Sequence, residues 1–257
     1  MERVNQPLRV RWKQHLGARA DQQDACAASS AEVYERKGLL AVLSDGMGGL
    51  NRGAVYSKVA TETMVSRFRS EPPQADPCTE LLGLFMAAQA EALRIHREDN
   101  EGGATVVAVL MRNGRCSFLS CGDSRIYLLR GGGLIQLNRE HTLGAVLDER
   151  AAFGYLPEEE ALYNTRRAAL TNHLGMAQLK AVDRNLTPFV LLPGDRIALM
   201  SDGITNTLKD DVLCRLLQGP FDTAPDQVID QVIAAAHPKQ DNASLLLVGN
   251  ETQKTRM

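Results

Sequence analysis

Four aspartates of this chain stand at the ends of apolar runs. Ala41-Val42-Leu43-Ser44-Asp45-Gly46 and Ile197-Ala198-Leu199-Met200-Ser201-Asp202-Gly203 share one design, an apolar run closed by Ser-Asp-Gly. Phe118-Leu119-Ser120-Cys121-Gly122-Asp123 ends with Gly and Asp inverted, and Asp241-Asn242 directly precedes the run Ser244 to Val248. A single aspartate there is ordinary turn chemistry, because Asp is a poor strand residue. Four of them are different if the strand ends converge. Like charges a few ångströms apart repel strongly unless something positive lies between them. No matching set of lysines sits in these motifs, so a hard divalent cation is the simplest partner. All-oxygen ligation points to Mg2+ or Mn2+ over zinc. A Gly after Asp lets its backbone carbonyl approach such an ion closely. Carboxylate-bound metal pairs most often serve phosphate-ester hydrolysis.

Competing chemistries fail on spacing. There is no G-x-x-x-x-G-K-S/T and no H-E-x-x-H, and Gly122-Asp123-Ser124-Arg125-Ile126 lacks the final Gly of a nucleophile elbow. His15, His96, His141, His173 and His237 form no close pair in sequence.

The elements that must position these aspartates are short Val/Ile/Leu-rich runs alternating with helical patterns. Strands are expected at Leu39 to Ser44, Thr105 to Met111, Cys116 to Cys121, Arg125 to Arg130, Arg196 to Ser201 and Ala243 to Val248. Asn113-Gly114 is a hairpin signal and Gly131-Gly132-Gly133 closes another tight connection, so the middle of the chain reads as an antiparallel meander. Tyr56, Ala60, Met64 and Phe68, with Val55 and Val59 alongside, form one helical stripe. Leu81, Leu84, Phe85, Ala88, Ala92 and Ile95 form a second. A third helix is expected from a capping Thr223 through Val228, Ile229, Val232 and Ile233, stopping at Pro238. The assembly is α+β, an antiparallel sheet region with helices on its outer faces. The weakly periodic stretch 142–186, with Glu158-Glu159-Glu160, reads as a helical insertion or as a flap beside the site.

Composition narrows the rest. The 257 residues are 44% hydrophobic and 23% charged, which suits one folded domain. Lys+Arg 29 against Asp+Glu 31 gives a net charge of -2 and argues against a nucleic-acid partner. The apolar run Ala104 to Met111 is less than half of the ~20 residues that span a bilayer, and the N-terminus lacks a secretory h-region. No membrane partner and a cytoplasmic location are expected. Cys26, Cys78, Cys116, Cys121 and Cys214 show no CxxC spacing, and Cys116 and Cys121 read as small core residues.

In their order along the chain, these motifs resemble the metal-dependent Ser/Thr protein phosphatases (PPM, type 2C). They are Asp45-Gly46-Met47-Gly48-Gly49, Cys121-Gly122-Asp123-Ser124-Arg125, Leu199-Met200-Ser201-Asp202-Gly203 and Asp241-Asn242-Ala243-Ser244. Asp-Gly-Met-Gly-Gly is similar to the bacterial branch, and Gly103-Ala104-Thr105 and Pro193-Gly194-Asp195-Arg196 also match the family pattern. The resemblance implies two antiparallel β-sheets packed as a central sandwich flanked by helices, a four-layer αββα fold. One domain over 8–249, a flap at about 142–186 and a tail at 250–257 complete it. It implies that Asp45 bridges two Mn2+ or Mg2+ ions, that Gly46 offers its carbonyl to one, and that Asp202 and Asp241 bind the other. Asp123 matches the position that helps hold a third, weaker ion, and Arg19 matches the arginine that grips the substrate phosphate. Gln23-Asp24 stands where the family usually has an acid pair that binds metal-bound water.

Three departures follow. Gln23 brings no charge, Met47 replaces a histidine proposed as general acid in some eukaryotic members, and Glu140-His141 replaces Asp-His. The implied activity is hydrolysis of phosphoserine and phosphothreonine in proteins by a metal-bridging water, reversing a bacterial Ser/Thr kinase, in a monomer. Two rival readings are a catalytically silent phosphoprotein-binding member of the same fold and a metal-dependent hydrolase of small phosphate esters.

Overall fold

The computed structural model describes residues 8–48, 52–96 and 102–250. Gly49 of the Asp-Gly-Met-Gly-Gly run and the tail beyond Asn250 lie outside them. The chain begins with β1 (Arg9–His15), β2 (Asp24–Ala28), α1 (Ala31–Lys37), β3 (Leu39–Met47), α2 (Arg52–Ser70) and α3 (Pro77–His96). Then come β4 (Gly103–Ala104), β5 (Val106–Arg112), β6 (Arg115–Cys121), β7 (Arg125–Arg130) and β8 (Gly133–Gln136). The segment that follows holds α4 (Leu143–Ala152), α5 (Glu158–Leu162), β9 (Asp183–Arg184) and β10 (Phe189–Val190). Last are β11 (Arg196–Met200), α6 (Asp202–Thr205), α7 (Asp210–Leu217), α8 (Ala224–Ala234) and β12 (Ala243–Gly249).

Two antiparallel sheets form. One runs β1-β12-β11-β7-β8 and the other β10-β6-β5-β3-β2, with β4 on β3 and β9 on β6. Side chains of a strand alternate between faces, and here both faces are covered. Leu40 and Val42 of β3 pack with Tyr56, Met64 and Phe68 of α2 and with α3, while Leu39, Ala41 and Leu43 face the opposite sheet. On β12, Leu245 and Leu247 pack on α7 and α8, and Leu246 and Val248 point between the sheets. Three apolar layers therefore separate four layers of backbone, as expected. Each large side chain buried there is worth about 1.5–3 kcal/mol. Cys116 and Cys121 are core residues.

The Asn113-Gly114 hairpin is present: both residues have positive φ (52° and 69°) and Arg112 pairs with Arg115. The continuous meander is not. β5 and β6 belong to one sheet and β7 and β8 to the other, so the chain crosses the sandwich at Gly122-Asp123-Ser124. Asp45 and Gly46 do not end a strand either. β3 continues to Met47 because Asp45 pairs with Asp24 and Gly46 with Ala104. Thr223 makes no capping hydrogen bond to α8, and that helix stops at Ala234, ahead of Ala236 with φ 50° and of Pro238. Val55 and Ile233 are exposed rather than part of their stripes.

The 142–186 segment is tied to the core. Leu174 is fully buried and pairs with Ala104, Gly175 N–H donates to Gln89, and Gln89 donates to the Met176 carbonyl. No helix among the described residues is long and apolar enough to cross a membrane.

Asp195 of the Pro-Gly-Asp-Arg motif is 3% exposed, accepts from Arg130 Nη2 at 2.6 Å and Nε at 3.1 Å, and accepts from Leu192 N–H at 2.7 Å. Asp195→Ala strands that amide and a partly solvated guanidinium. Its expected loss of about 2 kcal/mol is checked by urea unfolding.

Candidate active site

A cavity of about 630 Å³ opens where both sheets end, lined by Arg19, Gln23, Asp45, Gly46, Met47, Thr105, Asp123, Asp202, Asp241 and Asn242, together with Ala20, Asp21, Gly48 and, from the 142–186 segment, Leu170. Asp45 rides on β3 and is held by Thr105, whose Oγ1 accepts the Asp45 N–H at 3.1 Å and whose own N–H donates to the Asp45 carbonyl at 2.8 Å. Asp123 sits on the sheet-to-sheet crossing. Gly122 before it is clamped by His141, which donates its backbone N–H to the Gly122 carbonyl and accepts the Gly122 N–H at Nδ1. Ser124 after it shares a hydroxyl hydrogen bond with Thr105 at 2.7 Å. Asp202 opens α6 and accepts from Asn206 Nδ2 at 3.1 Å. Asp241 immediately precedes Asn242 and β12, and its Oδ2 accepts from Arg19 Nη2 at 2.6 Å.

Asp24 does not line the cavity. It lies beneath, 6% exposed, and its Oδ2 accepts from Ser201 at 2.8 Å and Ser244 at 2.6 Å, both from the other sheet. Its Oδ1 is buried with no hydrogen-bond partner. Glu140 stands apart, paired with Arg125 at 2.6 Å on the wall of a second cavity of about 1100 Å³. That cavity, beside the 142–186 segment, shares Asp123 and Asp202 with the first.

Burial, and then their mutual charge, holds these carboxylates above the usual range. Burial, followed by the charges of Asp24, Asp202, Asp123 and Asp241, raises Asp45 well above it. Burial and then the Asp202 charge push Asp123 up to about 7. Burial pushes Asp24 up to about 6 against the pull of its two serines, and burial and then Asp241 raise Asp202. Of the residues lining the first cavity, only Arg19 carries positive charge.

A family model described as protein phosphatase 2C matches residues 12–236. The chain belongs to the protein phosphatase 2C family. It is 33% identical over 230 residues to a Streptococcus pyogenes protein named as of the protein phosphatase 2C type, covering 85% of this chain and 89% of that one. It is 32% identical over 219 residues to the serine/threonine protein phosphatase PstP of Mycobacterium tuberculosis, covering 82% of this chain but 40% of that one. Among solved structures it is similar to the catalytic domain of PstP in complex with two manganese ions. There the TM-score is 0.74 at 25% identity, over 94% of this chain and 97% of that one.

Do the residues of this phosphatase suit a divalent cation? The donors are carboxylate and carbonyl oxygens, the hard set that Mg2+ and Mn2+ take. The buried Asp24 Oδ1 lacks a partner, and a water held by an ion would supply one. The Gly46 backbone is pressed against α2: a Cβ there would lie 2.1 Å from the Gly53 carbonyl oxygen and 2.6 Å from that of Gln23. The residues fit. As the side chains stand, no three His, Cys, Asp or Glu among the described residues close on a single point, so the carboxylates surround a cavity rather than a bare coordination cage.

Among the supports, Gly53 and Asn206 were not singled out beforehand, and Ser201, Ser244 and Asn242 were named only as motif members, without a role. A buried serine in an apolar strand, as at Ser244, was the available signal. Thr105 and His141 were legible as motif members, without a role.

Two outcomes are expected. Gly46→Ala must push β3 off α2, costing about 3 kcal/mol or more in thermal unfolding; an unchanged transition would show that the backbones can part. In metal-free buffer, stability falls as pH rises from about 4 to 7, because the folded carboxylates keep protons that the unfolded chain (pKa about 3.9) has lost. Melting temperatures recorded across that range in EDTA, with and without excess Mn2+, check the sign and its suppression by the cation.

Proposed function

We propose that this serine/threonine protein phosphatase works with two divalent cations, Mn2+ or Mg2+, held by Asp45, Gly46, Asp202 and Asp241. Asp45 and the Gly46 carbonyl would hold one ion, and Asp45 would share the other with Asp202 and Asp241. Asp123 would hold a third, weaker ion, and Gln23 and Asp24 would accept hydrogen bonds from water around the ions. The observation that carries this reading is the crowd of carboxylates whose burial, and then mutual repulsion, lifts Asp45, Asp123 and Asp202 while Arg19 is the one cation lining their cavity. When bound, the cations neutralise phosphoryl oxygens and acidify water.

The chain's own residues do the rest. The Arg19 guanidinium, which already reaches over the cavity to Asp241, grips the phosphate oxygens with its planar fork. Met47 on the cavity wall has no proton to give, so water protonates the serine or threonine leaving group. The second cavity takes the polypeptide around the phosphoresidue, with residues 142–186 as the flap of one domain spanning 8–249. Phosphoproteins and a cognate Ser/Thr kinase are the partners, with a monomer acting in the cytoplasm.

Asp45→Asn is expected to abolish Mn2+-dependent hydrolysis of para-nitrophenyl phosphate and of a phosphothreonine peptide while the protein still unfolds cooperatively. EDTA should stop the unsubstituted enzyme. Near-normal turnover by the variant would sink the two-ion assignment, and a large kcat/KM preference for nucleotides over phosphopeptides would sink the protein substrate.

A further inference from the structure

Asn242 has no role in the reaction as described so far, yet both the nitrogen and the oxygen of its amide are hydrogen-bonded. Its side chain joins the two ends of the 16–23 loop that carries Arg19. Nδ2 donates to the Leu16 carbonyl at 2.8 Å, and Oδ1 accepts the Gln23 N–H at 2.8 Å. The same Leu16 carbonyl accepts the Arg19 N–H at 3.4 Å, closing the turn on which Arg19 sits. Asn242 is 3% exposed, so these bonds are shielded from water.

The loop is pressed onto the same segment elsewhere. Ala18 N–H donates to the Gln240 carbonyl at 2.8 Å, and Gly17, at φ 66°, lies so close that a Cβ would stand 2.3 Å from the Asp241 carbonyl oxygen. Arg19 itself is different: its side chain is 59% exposed, and apart from the Asp241 carboxylate it has no ion-pair partner among the described residues. Where the guanidinium starts from is therefore decided by the backbone of the loop.

We propose that Asn242 is a positioning residue for substrate phosphate, acting through Arg19 by clamping both ends of the Arg19 loop. This rests on the reading of Arg19 as the phosphate grip. A guanidinium fork binds phosphate through paired, directional hydrogen bonds, and a misplacement of about 1 Å can cost up to a hundredfold. Only a side chain with a donor and an acceptor at amide spacing satisfies Leu16 and Gln23 together. Asp241 is touched differently: its Oδ1 accepts the backbone N–H of Asn242 at 2.8 Å, a bond that survives replacement of the side chain.

The test is a double-mutant cycle between Arg19→Ala and Asn242→Ala on the full chain with Mn2+. Asn242→Ala should raise KM for a phosphothreonine peptide and Ki for inorganic phosphate about tenfold, with kcat changed by less than about threefold. It should also speed tryptic cleavage after Arg19. The Mn2+ dissociation constant from calorimetry should not move. In the double variant, KM and Ki should match those of Arg19→Ala alone, because a residue acting through another adds nothing once that residue is gone. Effects that multiply, or Mn2+ affinity that falls together with phosphate affinity, overturn the proposal. An Arg19→Ala variant with unaltered Ki overturns the reading of Arg19 itself, and the role of Asn242 with it. Should Asn242→Ala fail to fold, Asn242→Ser, polar but too short to reach both ends, enters the same cycle.

Discussion

Asp24 belongs to the edge strand of one sheet and receives hydrogen bonds from Ser201 and Ser244 of the other, so a buried carboxylate joins the two halves of the sandwich under the cavity floor. Hydrogen bonds to a charged acceptor are worth about 1.5–3 kcal/mol each, and desolvation takes back part of that. The same carboxylate lies opposite Asp45 in the β2–β3 ladder. Sheet separation and carboxylate separation are thus set by one group. Ser244 also donates its N–H to Ser201 and accepts from Gln14, which extends the link to β1.

Electrostatics and packing oppose each other at this point. The apolar layers close the sandwich and bring its strand ends together, and doing so concentrates negative charge that the chain's net charge of -2 conceals. The chain relieves the conflict locally with amides and hydroxyls: Thr105, Ser124, Asn206 and the two serines on Asp24. None of these carries charge. The field at the cavity stays negative, and a cation entering it meets oxygens already arranged by neutral supports.

Much of this was readable from residue order because the central strands are buried on both faces. β3, β5, β11 and β12 appear as unbroken apolar runs, and the aspartates beside them stand out by contrast. The edges were not readable. β1 presents Arg9, Arg11 and Lys13 to Asp222 and Asp226 and so lacks an apolar signal, and β2 is Asp-Ala-Cys-Ala-Ala, too small in side chains to look like a strand. The crossing at Gly122-Asp123 resembled a hairpin because short connections normally join paired strands. Only the packing of two sheets distinguishes the cases. Likewise the aspartates that line the cavity are visible in the motif order, but Gly53 and Asn242 act through close approach and amide geometry, which spacing along a chain does not encode.

The pairing of β1 with β12 places the first described strand beside the last. Asp24 and Asp45 come early in the chain, Asp202 and Asp241 late, and Ser244 is on the last described strand. A chain emerging during synthesis holds the early carboxylates without their partners until that strand arrives, and such distant pairings are slow to form. The cavity therefore becomes complete only once residues 241–249 have been made and β12 has paired. A chain ended before residue 241 carries neither Asp241 nor the second serine on Asp24, so it lacks one wall of the cavity and one of the two bonds that tie Asp24 across the sandwich.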